Sequence, residues 1–294
     1  MPRILIAGCG YLGEAAADFC HAEGWEVEGW TASAESADRL GQKPYTVRAV
    51  DLLDLHSVEP SKPSGFDAVI QCASSRGGTA EDYRRIYLNG AQNLTAAFPD
   101  ALLIFTSSTS VYPQTSGEWV NEQSVAEPLR ETGRVLRETE EFVLARGGIV
   151  ARVAGIYGTG RSALLRKFLS GEAVLDPNSD RLSNQVHRDD IAAALLLLVR
   201  RYVRAPRLQN SHLRIFNVAD GNPWTVRECH EWLARHLERP LPPTSDVALP
   251  RKRGNSNKRV SSAKLQALGW TPRYPDFAAA MTESILPSLE RGGA

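Results

Sequence analysis

The first apolar run of the chain, Arg3–Ala7, breaks directly into Gly8-Cys9-Gly10-Tyr11-Leu12-Gly13. No other feature narrows the choice of fold so far. A lone Gly-x-Gly-x-x-Gly is a weak pattern, but between a strand and a helix each glycine has a physical task. The first permits a tight turn, the second lets backbone approach a pyrophosphate, and the third lets helix and strand pack closely. The helix N-terminus then offers free N–H groups and a partial positive charge to an anion. The spacing predicts a strand over 3–7, a helix over 11–23, and a dinucleotide held against Gly8, Cys9, Gly10, Tyr11, Leu12 and Gly13. The competing reading is a glycine-rich turn that holds nothing.

Short apolar runs at 25–31, 46–50, 68–72, 102–106 and 149–153 read as further strands, with helices near 80–97 and 133–146. Runs rich in Val, Ile and Leu are buried on both faces, as in a parallel sheet flanked by helices. Past residue 158 the rhythm changes: helices are predicted over 189–202, 226–237 and 276–291, a strand over 213–218, and a loop-dominated stretch over 239–260. The predicted fold is therefore α/β, a Rossmann-type doubly wound parallel sheet with a smaller, interleaved C-terminal substrate lobe. Residues 1–157 form the dinucleotide-binding domain, completed by 186–218. Residues 158–185 and 219–294 form the smaller lobe.

Charge excludes more than it suggests. Lys+Arg and Asp+Glu both number 34 in 294 residues, so no net basic surface invites nucleic acid or an anionic membrane. The four cysteines show no paired spacing, which argues against a disulfide framework or zinc site and fits a reducing cytoplasm. No signal peptide fits before the first strand, and no apolar run approaches a membrane span. The expected location is cytoplasmic, with no metal. Asp189 and Asp190 are accounted for by the positive end of the helix they open.

The end of strand two bears on which dinucleotide is held. A carboxylate there would bind the adenosine ribose hydroxyls and select NAD. Thr31, Ala32 and Ser33 offer none, Glu28 lies too early and Glu35 too late. The cofactor is expected to be NAD(P), with the balance towards NADP, although only Arg39 stands near enough in sequence to meet a 2′-phosphate.

Several later blocks, taken in order, resemble the extended short-chain dehydrogenase/reductase superfamily of nucleotide-sugar epimerases and dehydratases. The blocks are Asp51-Leu52, Cys72-Ala73-Ser74, Asn89 within Tyr87–Leu94, Phe105–Tyr112, Arg152–Gly158, Val186–Ile191, Phe216-Asn217-Val218, and Lys264-Leu265 with Leu268–Pro272. The resemblance covers essentially the whole chain. It implies that Asp51 and Leu52 meet the adenine, that Cys72, Ala73 and Ser74 pass beneath the cofactor with Thr106, and that Arg152 and Gly155 belong to the block closing over the nicotinamide end. It implies a catalytic role for Ser108, a small-molecule substrate, anionic or nucleotide-linked, and a homodimer through the helices near 80–97 and 134–146.

One departure matters. Active members carry Tyr-x-x-x-Lys after the serine block, the lysine lowering the tyrosine's pKa so that it serves as general acid/base. The aligned stretch here places Thr132 in the tyrosine's position and Leu136 in the lysine's. A threonine hydroxyl is too weak an acid to take over unaided, and leucine can neither hold a ribose nor tune a neighbour. With that substitution the sequence resembles an atypical bacterial subgroup, the YeeZ-type proteins.

The remaining candidates each carry two readings. Ser108 orients a substrate carbonyl, or satisfies backbone groups at a strand end. Tyr112 and Tyr157 replace the lost acid, or pack against cofactor and loop. Arg134 clamps an anion, or pairs with Glu138 one turn on. Arg152 stands at a strand end where ligands bind in such sheets. His187, whose ordinary pKa suits proton transfer, is a relay or a hydrogen-bonded structural residue, with Arg181 and Asn184 beside it. Arg253 and Arg259, in the basic stretch 251–259, grip a substrate diphosphate as the resemblance implies, or are solvated loop charge. Two functions follow: an NAD(P)-dependent oxidoreductase or epimerase/dehydratase-like enzyme with a rebuilt proton relay, or a non-catalytic redox sensor.

Overall fold

The computed structural model describes residues 1–54, 65–205, 211–249 and 256–292. It opens with β1 (Arg3–Ala7), in which Ile4, Leu5, Ile6 and Ala7 are fully buried. Burial of each of the three larger side chains contributes about 2 kcal/mol. α1 (Tyr11–Ala22) lays Ala15, Ala16, Ala17 and Cys20 in the core. Gly24 then turns the chain at φ +77° into β2 (Glu26–Thr31). α2 (Ala34–Arg39) is capped by Ser33, whose side chain accepts the Ser36 N–H. β3 (Thr46–Ala49) is half exposed, whereas β4 (Ala68–Gln71) is buried at every position. α3 (Ala80–Tyr83) starts on a capping box between Thr79 and Asp82. It passes through a π-helical turn at Arg84–Asn89 into α4 (Gly90–Ala97). Then come β5 (Leu102–Ser108), β6 (Trp119–Val120), α5 (Glu131–Ala145) and β7 (Ile149–Val153).

The second half continues with β8 (Gly155–Tyr157), α6 (Ala163–Leu169), β9 (Leu182–Ser183), β10 (Gln185–His187) and α7 (Arg188–Tyr202). β11 (Ile215–Val218), β12 (Trp224–Thr225), α8 (Val226–His236), β13 (Arg259–Val260) and α9 (Ala263–Gln266) follow. α10 (Phe277–Ala280) leads through a second π-helical turn, Met281–Ile285, into α11 (Leu286–Gly292).

Seven strands form one parallel sheet in the order β11-β7-β5-β4-β1-β2-β3. The order reverses between β1 and β4, which opens a crevice at the carboxyl ends of those strands, where ligands of doubly wound sheets sit. β11 returns to pair with β7, so the chain re-enters the sheet after leaving it. A second, smaller apolar cluster joins Tyr157, Leu165, Phe168, Cys229, Leu233, Tyr274, Phe277, Met281 and Ile285 away from the main core.

Several predicted elements differ in detail. β5 runs to Ser108, two residues further than predicted, and α5 starts at Glu131, which puts Thr132 in its first turn. The helices predicted over 80–97 and 276–291 each contain a π-helical turn. In the first, the Gln71 amide donates to the carbonyls of Ile86 and Tyr87, each at 3.1 Å. Among the described residues no helix is long and apolar enough to cross a membrane. No group of three or more His, Cys, Asp or Glu side chains among them is arranged to hold a metal.

Candidate functional site

The glycine loop sits at the reversal of strand order, and its three glycines meet three different surroundings. Gly8 has φ +99°, and a Cβ on it would lie 2.2 Å from the backbone nitrogen of Ala73. A Cβ on Gly13 would lie 2.2 Å from the Gly8 carbonyl oxygen and 3.0 Å from Ile6. Around Gly10, by contrast, a Cβ would meet nothing within 4 Å. Two glycines thus exist for close packing, and the third leaves open space directly in front of α1. That open cradle, at the positive end of a twelve-residue helix, fits a diphosphate.

Around the loop, Cys9 is fully buried, its N–H bonded to the Trp30 carbonyl at 2.6 Å. Burial, ahead of the nearby Glu14 and Asp18, pushes its thiol up to about 12, so it holds a proton rather than reacting. The N–H groups of Cys72 and Ala73 both donate to the Ala7 carbonyl, at 2.8 and 3.0 Å, fixing the β4 exit against β1. Ser74 is exposed, and its Oγ accepts the Arg76 N–H. Thr106 Oγ1 donates to the Gln71 carbonyl at 2.8 Å, tying β5 to β4. Leu12 is buried and Tyr11 half-buried.

At the end of β2, Thr31 is buried, with its hydroxyl donating to the carbonyl of Ser33 at 3.1 Å. Ser33 is exposed as the α2 cap. Glu28 is occupied by the Trp30 indole at 2.8 Å and by Arg3 and Arg48. Asp51 accepts the Leu53 N–H at 2.9 Å, and the Leu52 carbonyl accepts from Asn93 at 2.8 Å. Gly155 packs on the Asn184 carbonyl, which its own N–H contacts at 3.0 Å.

Three of the candidates are sealed away from the cleft. Arg152 is 2% exposed; its guanidinium pairs with Glu140 at 2.7 Å and donates to the Tyr112 hydroxyl at 2.9 Å. Its placement at the cofactor is corrected: a buried arginine needs a carboxylate, and Glu140 of α5 supplies one. Tyr112 is fully buried, donates to Asn217 at 2.9 Å, and is held above its ordinary pKa by burial. Tyr157 is also buried, with its hydroxyl on the Asp276 carbonyl at 3.3 Å. Burial and then Asp220 and Asp190 push its phenol far up. Neither phenol is offered to a ligand as a stand-in acid.

His187 is fully buried as well, and caps α7: its Nδ1 accepts the Asp189 N–H at 3.2 Å. That fixes the proton on Nε2, which donates to Ser284 Oγ at 3.1 Å. Burial lowers its pKa to about 4, against a smaller opposing pull from Asp189, so the ring is neutral at physiological pH. His187 thus sits as a buried, hydrogen-bonded helix cap.

What remains open is a smaller set. Ser108 is half-buried at the end of β5; its Oγ accepts the Ser110 N–H at 3.1 Å, which leaves the hydroxyl proton free to donate. Thr132 is half-buried in the first turn of α5, and Leu136, one turn on, is buried. Arg134 is exposed and has no ion-pair partner among the described residues. The expected pairing with Glu138 does not form, because Arg84 takes that carboxylate at 2.8 Å.

Further out, Asn184 bonds the Lys258 carbonyl at 2.9 Å and the Val260 N–H at 2.8 Å. Lys258 is buried on the Tyr112 carbonyl, and Arg259 donates to the Gly117 carbonyl. These residues hold β13 in place. Arg253, like Arg251 and Lys252, lies outside the described residues.

Sequence reasoning missed Glu140, which accepts from Ser107 at 2.6 Å as well as from Arg152 and Arg137. The readable signal was a carboxylate on the apolar stripe of a helix, at Leu136, Thr139, Glu140 and Val143. Also missed were Arg161 and Arg188, whose guanidiniums lie 5.2 and 4.9 Å from the centre of the Tyr11 ring.

The geometry is that of a dinucleotide fold, and comparison with known proteins agrees. The model of the NAD-dependent epimerase/dehydratase family matches residues 4–135. Protein YeeZ of Escherichia coli strain K12 is 32% identical over 209 residues, which are 68% of this chain and 73% of that protein. The chain belongs to the NAD-dependent epimerase/dehydratase family. A dTDP-4-dehydrorhamnose reductase of Mycolicibacterium smegmatis is 27% identical over 286 residues, 86% of this chain and 84% of the relative. Among solved structures, a protein of Methylobacillus flagellatus provisionally described as an NAD-dependent epimerase/dehydratase superposes with a TM-score of 0.79. It is 28% identical, over 98% of this chain and 99% of that one. MoeE5, in complex with UDP-glucose and NAD, shares the fold at a TM-score of 0.76 and 19% identity, over 99% of this chain and 100% of that one. This family member thus keeps the fold along its whole length, with Thr132 and Leu136 one turn apart on α5.

Proposed function

We propose that this protein is an NAD(P)-dependent oxidoreductase of the epimerase/dehydratase type that works without a resident proton relay. The open cradle at Gly10, between two glycines locked by packing, carries this reading. Gly8 to Gly13 would hold the diphosphate, Asp51 and Leu52 the adenine, and Cys72 to Ser74 the floor. The bound nicotinamide supplies the hydride chemistry. The chain's own part is to position a substrate and polarise it. Ser108, with its proton free, donates to a substrate carbonyl, and Thr132 stands in the place of the lost tyrosine. Arg134 binds an anionic group on the substrate, and water delivers the proton that the sealed Tyr112, Tyr157 and His187 do not. The absence of a carboxylate at the end of β2 supports NADP over NAD. A nucleotide-linked sugar is the substrate class favoured, because the family resemblance extends through the second lobe.

A second reading rests on one observation: all three stand-in acids are buried with their polar atoms engaged. A sensor that binds the dinucleotide and turns nothing over needs no accessible acid. Turnover of carbonyl substrates and sugar nucleotides, with wild type and Ser108→Ala, separates the two. The enzyme reading expects measurable wild-type turnover reduced about 100- to 1,000-fold by Ser108→Ala, the cost of one carbonyl-polarising donor. An unaffected Ser108→Ala variant would remove Ser108 from the chemistry.

A further inference from the structure

The residues of the glycine loop, 8–13, include no cation, and the first turn of α1 adds the acidic Glu14. The helix dipole supplies only about half a charge, whereas a diphosphate carries two negative ones. Cationic side chains would add the missing counter-charge, and the structure places two of them beside Tyr11, the first residue of α1. Arg161, from the loop after β8, and Arg188, the first residue of α7, both stand against the Tyr11 ring, at 5.2 and 4.9 Å from its centre.

Both arginines are mounted on fixed supports. The Tyr11 hydroxyl donates to the Thr159 carbonyl at 3.0 Å. The Gly158 and Arg161 backbones bond each other in both directions, at 3.0 and 2.9 Å. Thr159 Oγ1 lies 3.3 Å from Ser284 Oγ, which in turn accepts from His187. A side chain on Gly158 would strike the Tyr11 hydroxyl at 2.8 Å, so only glycine admits this approach. Arg188 gives its Nε to Asp189 at 3.0 Å, which orients the guanidinium and leaves its other nitrogens available. Arg161 is exposed and has no ion pair among the described residues. An exposed arginine stacked on an aromatic ring keeps its hydrogen-bonding edge free for an anion.

We propose that Arg161 and Arg188 form a two-arginine clamp for the diphosphate of the dinucleotide, meeting it from the β8–α6 loop and the start of α7 while the glycine loop cradles it from the sheet. The inference rests on the reading that the glycine loop holds a dinucleotide. It adds that the β8–α6 loop and α7 share the load, and that Tyr11 is the stacking platform setting their distance.

The test is the affinity of the full-length protein for NADPH and for ADP-ribose, which has the diphosphate and lacks nicotinamide. Titrations of wild type, Arg161→Gln and Arg161→Gln/Arg188→Gln are run at two salt concentrations. The clamp predicts about tenfold weaker binding of both ligands on Arg161→Gln and a further loss in the double variant. The steep salt dependence of wild type should flatten in both. Wild-type affinity in a folded Arg161→Gln variant overturns the clamp. So does a loss confined to NADPH, which would place the arginines at the nicotinamide end or the 2′-phosphate, the two parts ADP-ribose lacks, and not at the shared diphosphate. Should the double variant fail to fold, Arg161→Gln decides alone, since that side chain is exposed. Wild type that binds neither ligand overturns the cofactor reading itself, and the clamp with it.

Discussion

Glu140 and Arg152 show how a single buried ion pair settles several roles at once. Removing two charges from water is costly, and the cost is offset only when every polar atom finds a partner. Here Ser107 and Arg137 saturate the carboxylate, while Tyr112 takes the remaining face of the guanidinium. A residue committed to that network cannot also meet a ligand, and so Arg152 and Tyr112 belong to the fold. His187 follows the same logic with a measurable consequence. Its folded pKa, about 4, lies below the ordinary value near 6.5. The neutral ring therefore stabilises the fold fully above pH 6.5, and this contribution, on the order of 3 kcal/mol, drains away as the pH falls towards 4. Asp190, pushed up to about 6 by burial, works in the opposite sense, favouring the fold as it protonates. Urea unfolding of wild type and His187→Gln between pH 7 and 4 separates them: wild type should lose stability more steeply than the variant, and parallel curves would deny His187 this role. Residue chemistry was the least legible level of the sequence. Thr132 and Leu136 could be read from order alone, but the fate of Arg152, Tyr112 and Tyr157 depended on partners 12 to 119 positions away.

At the scale of elements, the glycine loop divides its labour. Gly8 and Gly13 pack, and Gly10 leaves space, so two substitutions should separate stability from binding. Gly8→Ala puts a Cβ 2.2 Å from the Ala73 nitrogen at φ +99°, and should lower the unfolding midpoint by several degrees or prevent folding. Gly10→Val meets no neighbouring atom through its Cβ, and should keep the wild-type midpoint while losing dinucleotide binding. Thermal melts with and without NADPH check both; a Gly10→Val protein that still binds would remove the loop from the site. The elements themselves were legible, because continuous apolar runs and capping residues such as Thr79, Thr225 and Asp276 mark strands and helix starts locally. The π-helical turns were not, because the carbonyls freed at 84–89 are taken by Gln71 of β4, distant in sequence.

For the whole molecule, the pairing of β11 with β7 and the contact of Tyr11 with Arg161 and Arg188 tie the later part of the chain to the glycine-loop part. A ligand in the cradle would touch both, so binding should stabilise the protein as one unit. The balanced overall charge leaves local arginines, rather than a broad field, to select an anion. All of this turns on the cradle being a dinucleotide site. Titration of the purified protein with NADPH and NADH, followed by nicotinamide fluorescence, tests that claim most directly. Saturable binding of one equivalent per chain, tighter for NADPH, is the predicted result. A folded protein that binds neither form would contradict the account.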